Sequence, residues 1–94
     1  MPKVRTIEKR ISDVEEFKVR IRRPDGGDLR ADYGGLQQQY PYRRKAYNDK
    51  TVSSWKSSRF LSNYPGYDVD VLDCDGNSRL GHTRLGTIRA TYLN

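Results

Sequence analysis

Between residues 16 and 33, apolar and charged side chains alternate along the chain on both sides of a turn signal. The apolar positions of the first half are Phe17, Val19 and Ile21, and those of the second half are Leu29, Ala31 and Tyr33. A period of two is typical of strands with one buried face. The sequence Pro-Asp-Gly-Gly at 24–27 interrupts the pattern with residues that favour tight turns. The pattern predicts a β-hairpin over residues 16–33.

A second alternation begins at residue 67. Tyr67, Val69 and Val71 are separated by aspartates, and Asp75-Gly76 follows as a strong turn signal. A short return strand through residues 78–80 would complete a second hairpin, over residues 67–81.

The main helix is predicted over residues 51–63. Thr51 is a suitable N-cap and Pro65 marks the stop. The apolar side chains Val52, Trp55, Phe60 and Tyr64 share one half of the helical wheel with Lys56 and Arg59. We interpret Trp55 as a core residue, and the alternative is an exposed anchor at an interface, where Trp is enriched.

The two terminal segments allow more than one interpretation. In residues 1–14, Val4, Ile7, Ile11 and Val14 recur at helical spacing, but a strand or a flexible basic arm also fits. In residues 83–93, Leu85, Ile88 and Tyr92 suit a helix, whereas Gly86 and several β-favouring residues suit a strand. We favour the helix slightly.

Strands and one main helix without βαβ alternation predict an α+β fold. We expect a small antiparallel sheet of two hairpins, packed by the helix over 51–63, with uncertain terminal elements. The 94 residues fit a single domain, 1–94. One cysteine, Cys74, suits a reducing compartment, and no apolar run resembles a signal peptide or membrane span. The sequence therefore predicts a cytoplasmic protein that does not bind membranes.

Charge is unevenly distributed along the chain. The net charge is +6, yet residues 43–59 hold six bases against one acid, and residues 68–75 hold four aspartates and no base. A basic surface attracts acidic partners, either nucleic acid or an acidic protein surface.

The most suggestive segment lies in a predicted long loop over residues 34–49. It interleaves aromatic and basic side chains: Tyr40, Tyr42, Arg43, Arg44, Lys45 and Tyr47. Basic groups neutralise phosphates, and aromatic rings stack on bases. The alternatives are that the tyrosines pack the loop onto the domain while the bases are solvated, or that the loop contacts a protein.

Further basic candidates lie on predicted regular elements. The outward face of the first hairpin carries Lys18, Arg20, Arg22 and Arg30, and the helix adds Lys56 and Arg59. Basic side chains on alternate strand positions project in one direction and could follow a phosphate backbone. Charged residues are also common on solvated strand faces, and the sequence does not show whether these groups form one patch.

Evidence for a metal site, a cofactor or catalysis is thin. The aspartates at 68–75 do not fit a calcium loop in any register, because the glycine and the final glutamate are misplaced. Cys74 lies between two aspartates, which disfavour a reactive thiolate. His82 is the only histidine, and in this setting it is most often a surface or capping residue. The alternative is that it acts as the general base of a small metal-free ribonuclease. We expect no cofactor and no enzyme.

Three functions remain, and no family resemblance favours one of them. The first is a small nucleic-acid-binding protein that uses the tyrosine-and-arginine loop. The second is a modulator or inhibitor that binds a nucleic-acid-handling complex, as phage-encoded proteins such as anti-CRISPR proteins do; size and charge alone suggest this analogy. It could use the same loop, or Trp55 and Tyr64 if these are exposed. The third is the ribonuclease.

Overall fold

A computed structural model describes residues 3–25, 27, 29–30, 33–36 and 38–93. In chain order the elements are helix α1 (Val4–Glu15), strand β1 (Lys18–Arg22), helix α2 (Val52–Trp55), which continues as a π-helical turn (Lys56–Phe60), strand β2 (Asp68–Leu72) and helix α3 (Leu85–Thr91). The predicted α+β class is confirmed, since helices pack around a two-stranded antiparallel sheet.

The sheet joins two strands that are distant in sequence. β1 pairs with β2 in antiparallel register, with Lys18 opposite Leu72 and Arg22 opposite Asp68. The prediction that residues 16–33 form a hairpin is wrong in its second limb: residues 29, 30 and 33 lie outside any strand, and 31–32 fall outside the described residues. β2 instead places two fully buried valines, Val69 and Val71, beside the buried face of β1.

The second predicted hairpin is present only in reduced form. After β2 the chain turns at Gly76, whose positive φ of 82° suits glycine, and returns through a single bridge between Leu72 and Ser78. Residues 78–81 therefore form no continuous strand.

The main helix begins where the sequence predicts. The Thr51 hydroxyl accepts a hydrogen bond from the Ser54 amide at 3.2 Å. In the π-helical turn the Leu61 amide donates to the Lys56 carbonyl at 2.7 Å. This wider turn lets Trp55 and Phe60, five residues apart, both face the core, where each is fully buried. Trp55 is thus a core residue, as we interpreted it.

Both terminal segments contain helices. α1 buries Val4, Ile7 and Ile11, which resolves the ambiguity of residues 1–14 in favour of a helix. In α3, Gly86 fits because its backbone passes close to Asn48: a Cβ at this position would lie 2.8 Å from the Asn48 Cβ. The glycine that weakened the helical interpretation of 83–93 is therefore required by packing.

One apolar cluster connects all the elements, and it includes Leu36, Tyr40 and Ala46 from the long connection between β1 and α2. In the part of the chain that the structure describes, no helix is long and apolar enough to cross a membrane.

Candidate functional site

A buried glutamate at the end of α1 organises the region that precedes α2. Glu15 continues the apolar stripe of α1 and is fully buried. A carboxylate in such a place needs charged partners and hydrogen bonds, because burial alone penalises its ionised form.

Two arginines from different helices neutralise Glu15. Arg59 Nη1 lies 2.7 Å from Oε2, and Arg89 Nη2 lies 3.2 Å from Oε1. Arg89 also donates from Nε to the Glu15 carbonyl at 2.7 Å. The Ala46 amide and the Tyr40 hydroxyl complete the set of donors to the carboxylate. One carboxylate thus ties α1, α3, the π-helical turn and the long connection together.

The stretch 40–48, which we call the anchored segment, is bound to the protein at every second residue. The Tyr40 hydroxyl and the Ala46 amide donate hydrogen bonds to Glu15. The carbonyls of Tyr42, Arg44 and Ala46 accept from Arg10, Arg59 and Arg89, in that order. The Asn48 side chain also accepts from Arg89. The residues between them, Pro41, Arg43, Lys45 and Tyr47, are exposed. The segment therefore has no regular secondary structure but a defined inner and outer side.

A concave surface, the basic groove, lies beside the C-terminal half of the anchored segment. Its volume is about 420 Å³, and it is lined by Arg44, Lys45, Ala46, Tyr47, Lys50 and Arg59. Among the described residues, no carboxylate lines it. The groove thus combines four cationic side chains with one aromatic ring.

The four cations differ in whether other groups of the protein already bind them. Arg59 is engaged by Glu15 and lies over the Tyr42 ring, 4.4 Å from its centroid. Lys45 pairs with Glu16 at 3.1 Å, but both side chains are about half exposed, so this pair exchanges readily with another anion. Within the described residues, Arg44 and Lys50 have no ion-pair partner. Arg44, Lys45 and Lys50 are therefore the cations that can bind an anion.

The three tyrosines of the segment have different roles. Tyr40 is fully buried and accepts a hydrogen bond from Trp55 Nε1 at 3.2 Å, and burial together with Glu15 raises the pKa of its phenol. Tyr42 is half-buried beneath Arg59. Tyr47 is 78% exposed. Of the tyrosines predicted to stack on a base, only Tyr47 presents an open ring.

The other predicted bases do not line the groove. Lys18 and Arg20 line a separate surface cavity together with Glu8 and Asp13, which gives it mixed charge. Arg22 forms an ion pair with Asp70, and Lys56 lies 3.9 Å from Asp68. Arg30 and Arg43 are exposed outside the groove lining.

The acidic turn has a structural role. The Asp73 carboxylate accepts hydrogen bonds from the Asp75 and Asn77 amides and from Arg79, which together hold the pKa of Asp73 below its usual value. The described residues contain no group of three His, Cys, Asp or Glu placed to hold a metal ion. Cys74 is exposed, and so is His82, which does not line the groove.

Trp55 and Tyr64 are both buried, at 0% and 2% exposure, so neither serves as the exposed interface anchor that a protein-binding role would require of them.

Sequence reasoning missed Glu15, Arg89 and Lys50. A signal for the first two was present: each charge occupies a position on an otherwise apolar helical stripe, Glu15 after Ile11 and Arg89 beside Leu85 and Ile88. Opposite charges on the buried stripes of two helices indicate a buried pair.

Comparisons with protein-family models, with curated proteins and with solved structures find no match to this chain.

Proposed function

We propose that this protein binds nucleic acid through the basic groove, with Arg44, Lys45 and Lys50 contacting backbone phosphates. The observation that supports this most directly is the convergence of these cations on one concave surface that no described carboxylate lines. Phosphate contacts of this kind provide the main, sequence-independent part of nucleic-acid affinity.

The anchored segment supports the proposal because it is held in place before any ligand arrives. The Arg44 carbonyl is bound by Arg59, and Ala46 is bound through both its amide and its carbonyl. A preorganised backbone reduces the entropy lost when the flanking side chains bind. Arg59 contributes by positioning the segment, since Glu15 already occupies its guanidinium.

The test is the salt dependence of binding, measured by fluorescence anisotropy with labelled oligonucleotides. Neutralising about three phosphates gives a slope of log K against log salt of about −2 for a single strand and about −3 for duplex DNA. Arg44→Gln/Lys50→Gln should weaken binding and reduce the slope for a single strand by about 1.5.

A matched control separates the groove from net charge. Arg5→Gln/Lys9→Gln removes the same two charges from exposed positions on α1, outside the groove. Equal losses in the two double variants would contradict the proposal, and so would a lack of oligonucleotide binding at low ionic strength. Displacement of the oligonucleotide by poly-glutamate at equal charge concentration would point instead to an acidic protein surface as the partner.

A further inference from the structure

Tyr47 is the aromatic side chain that borders the basic groove with its ring open to solvent. Its exposure of 78% contrasts with the burial of Tyr40, seven residues earlier. Among the described residues, the Tyr47 ring forms no aromatic or cation–π contact and does not join the apolar cluster, so packing of the core does not explain its position.

The backbone on both sides of Tyr47 is fixed. Ala46 is bound to Glu15 and Arg89, and the Asn48 carbonyl accepts from the Gly86 amide at 2.9 Å while its side chain accepts from Arg89. The Tyr47 carbonyl itself accepts from the Lys50 amide at 3.1 Å. The ring is therefore an exposed group on a rigid base, with a cation on either side in sequence, at Lys45 and Lys50.

On the premise of the proposed function, we infer that the groove selects single-stranded nucleic acid, with one unstacked base lying on the Tyr47 ring. In a duplex the faces of the bases are stacked on each other and cannot reach an aromatic side chain, whereas in a single strand they can. Arg44, Lys45 and Lys50 would then hold the phosphates that flank this nucleotide.

The size of the groove agrees with this ligand. A volume of about 420 Å³ lies at the small end of the range for small-molecule sites, about 300–1,000 Å³. It is large enough for a nucleotide-sized group. Stacking tolerates any base, so we expect little sequence preference.

The experiment compares a single-stranded oligonucleotide with a duplex of the same length at one low ionic strength. The single strand should bind more tightly. Tyr47→Ala should weaken single-strand binding by about 5- to 150-fold, the equivalent of one stacked base, and should barely change duplex binding. Tyr47→Phe keeps the ring and should retain the affinity.

Tyr33→Ala is the matched control, because Tyr33 is also partly exposed but lies outside the groove. Equal binding of single strand and duplex, with Tyr47→Ala no weaker than Tyr33→Ala, would overturn the inference. If Arg44→Gln/Lys50→Gln still weakened the binding of both ligands in that case, the proposed function would stand without single-strand selectivity. A lack of binding to either ligand would remove both.

Discussion

Two irregular segments of this protein are each organised by one carboxylate, and the two carboxylates act over very different distances along the chain. Asp73 binds groups two, four and six residues ahead of it, all within the turn that follows β2. Glu15 binds groups between 25 and 74 residues away, from three other parts of the fold. Asp73 therefore stabilises one turn, whereas Glu15 holds distant parts of the fold together.

The two sites also differ in solvation. Asp73 is itself only 5% exposed, but its partner Arg79 reaches the surface with a side chain that is 36% exposed. Glu15 is 0% exposed and Arg89 only 7%. Water reaches Arg79 more readily than Arg89, so removing the carboxylate should cost less stability in the turn than at Glu15.

The largest effect is expected when Glu15 is removed. Glu15→Ala leaves Arg59 and Arg89 without their counter-charge, and breaking a buried ion pair in this way costs about 3–5 kcal/mol of unfolding free energy. Urea denaturation measures this loss. Because the alanine variant could fail to fold, Glu15→Gln provides a second measurement: it keeps an acceptor for the Ala46 amide but removes the charge, and should be clearly less stable than the parent.

Asp13→Ala on the same helix is the control for Glu15. Asp13 forms an exposed pair with Lys9 at 3.2 Å, and such pairs contribute at most about 1 kcal/mol. If Glu15→Gln were no more destabilising than Asp13→Ala, the buried carboxylate would not be what holds these distant parts of the fold together.

The contrast between local and distant partners also explains what the sequence could predict. The Asp75-Gly76 turn and the Thr51 cap depend on neighbours in sequence, and both were found at the predicted places. The pairing of β1 with β2 and the burial of Tyr40 depend on residues far along the chain. Alternation reveals that a strand has an apolar face, but it does not identify the strand that pairs with it.

The candidate site was predictable only in outline for the same reason. The sequence located the aromatic and basic segment correctly, yet the division of its tyrosines into buried Tyr40 and exposed Tyr47 follows from Glu15, Arg59 and Arg89. These anchors come from three helical segments whose relative positions are set by packing of the whole core.

A smaller effect, visible through pH, is expected at Asp73. Its pKa is lowered in the folded protein, chiefly by the Asn77 amide, so its contribution to stability is present above the unfolded pKa of about 3.9 and is lost as the pH falls through the lower folded value. In Asp73→Asn, the free energy of unfolding should therefore fall less steeply as the pH drops below about 4. Urea midpoints from pH 6 to pH 2.5 measure this.

Asp75→Asn in the same turn is the control, because Asp75 is exposed and its carboxylate accepts no hydrogen bond from the described residues. If the loss of stability at low pH were reduced equally in the two variants, Asp73 would have no special part in it.

The smallest effect, of opposite sign, is expected at the residue next to Glu15. Glu16 ends α1 in the left-handed region, with φ of 65°, a conformation that costs a side-chain-bearing residue about 1–2 kcal/mol. Glu16→Gly relieves this cost, and the greater freedom of glycine in the unfolded chain and the loss of the exposed Lys45 pair offset part of the gain. A net stabilisation of up to about 1 kcal/mol should appear in urea denaturation, whereas Glu16→Ala, which keeps the Cβ, should not be stabilised.

Two adjacent glutamates would then differ in the sign of their contribution to stability, because only Glu15 lies on the buried stripe of α1. A loss of stability in Glu16→Gly as large as that in Glu15→Gln would contradict this distinction.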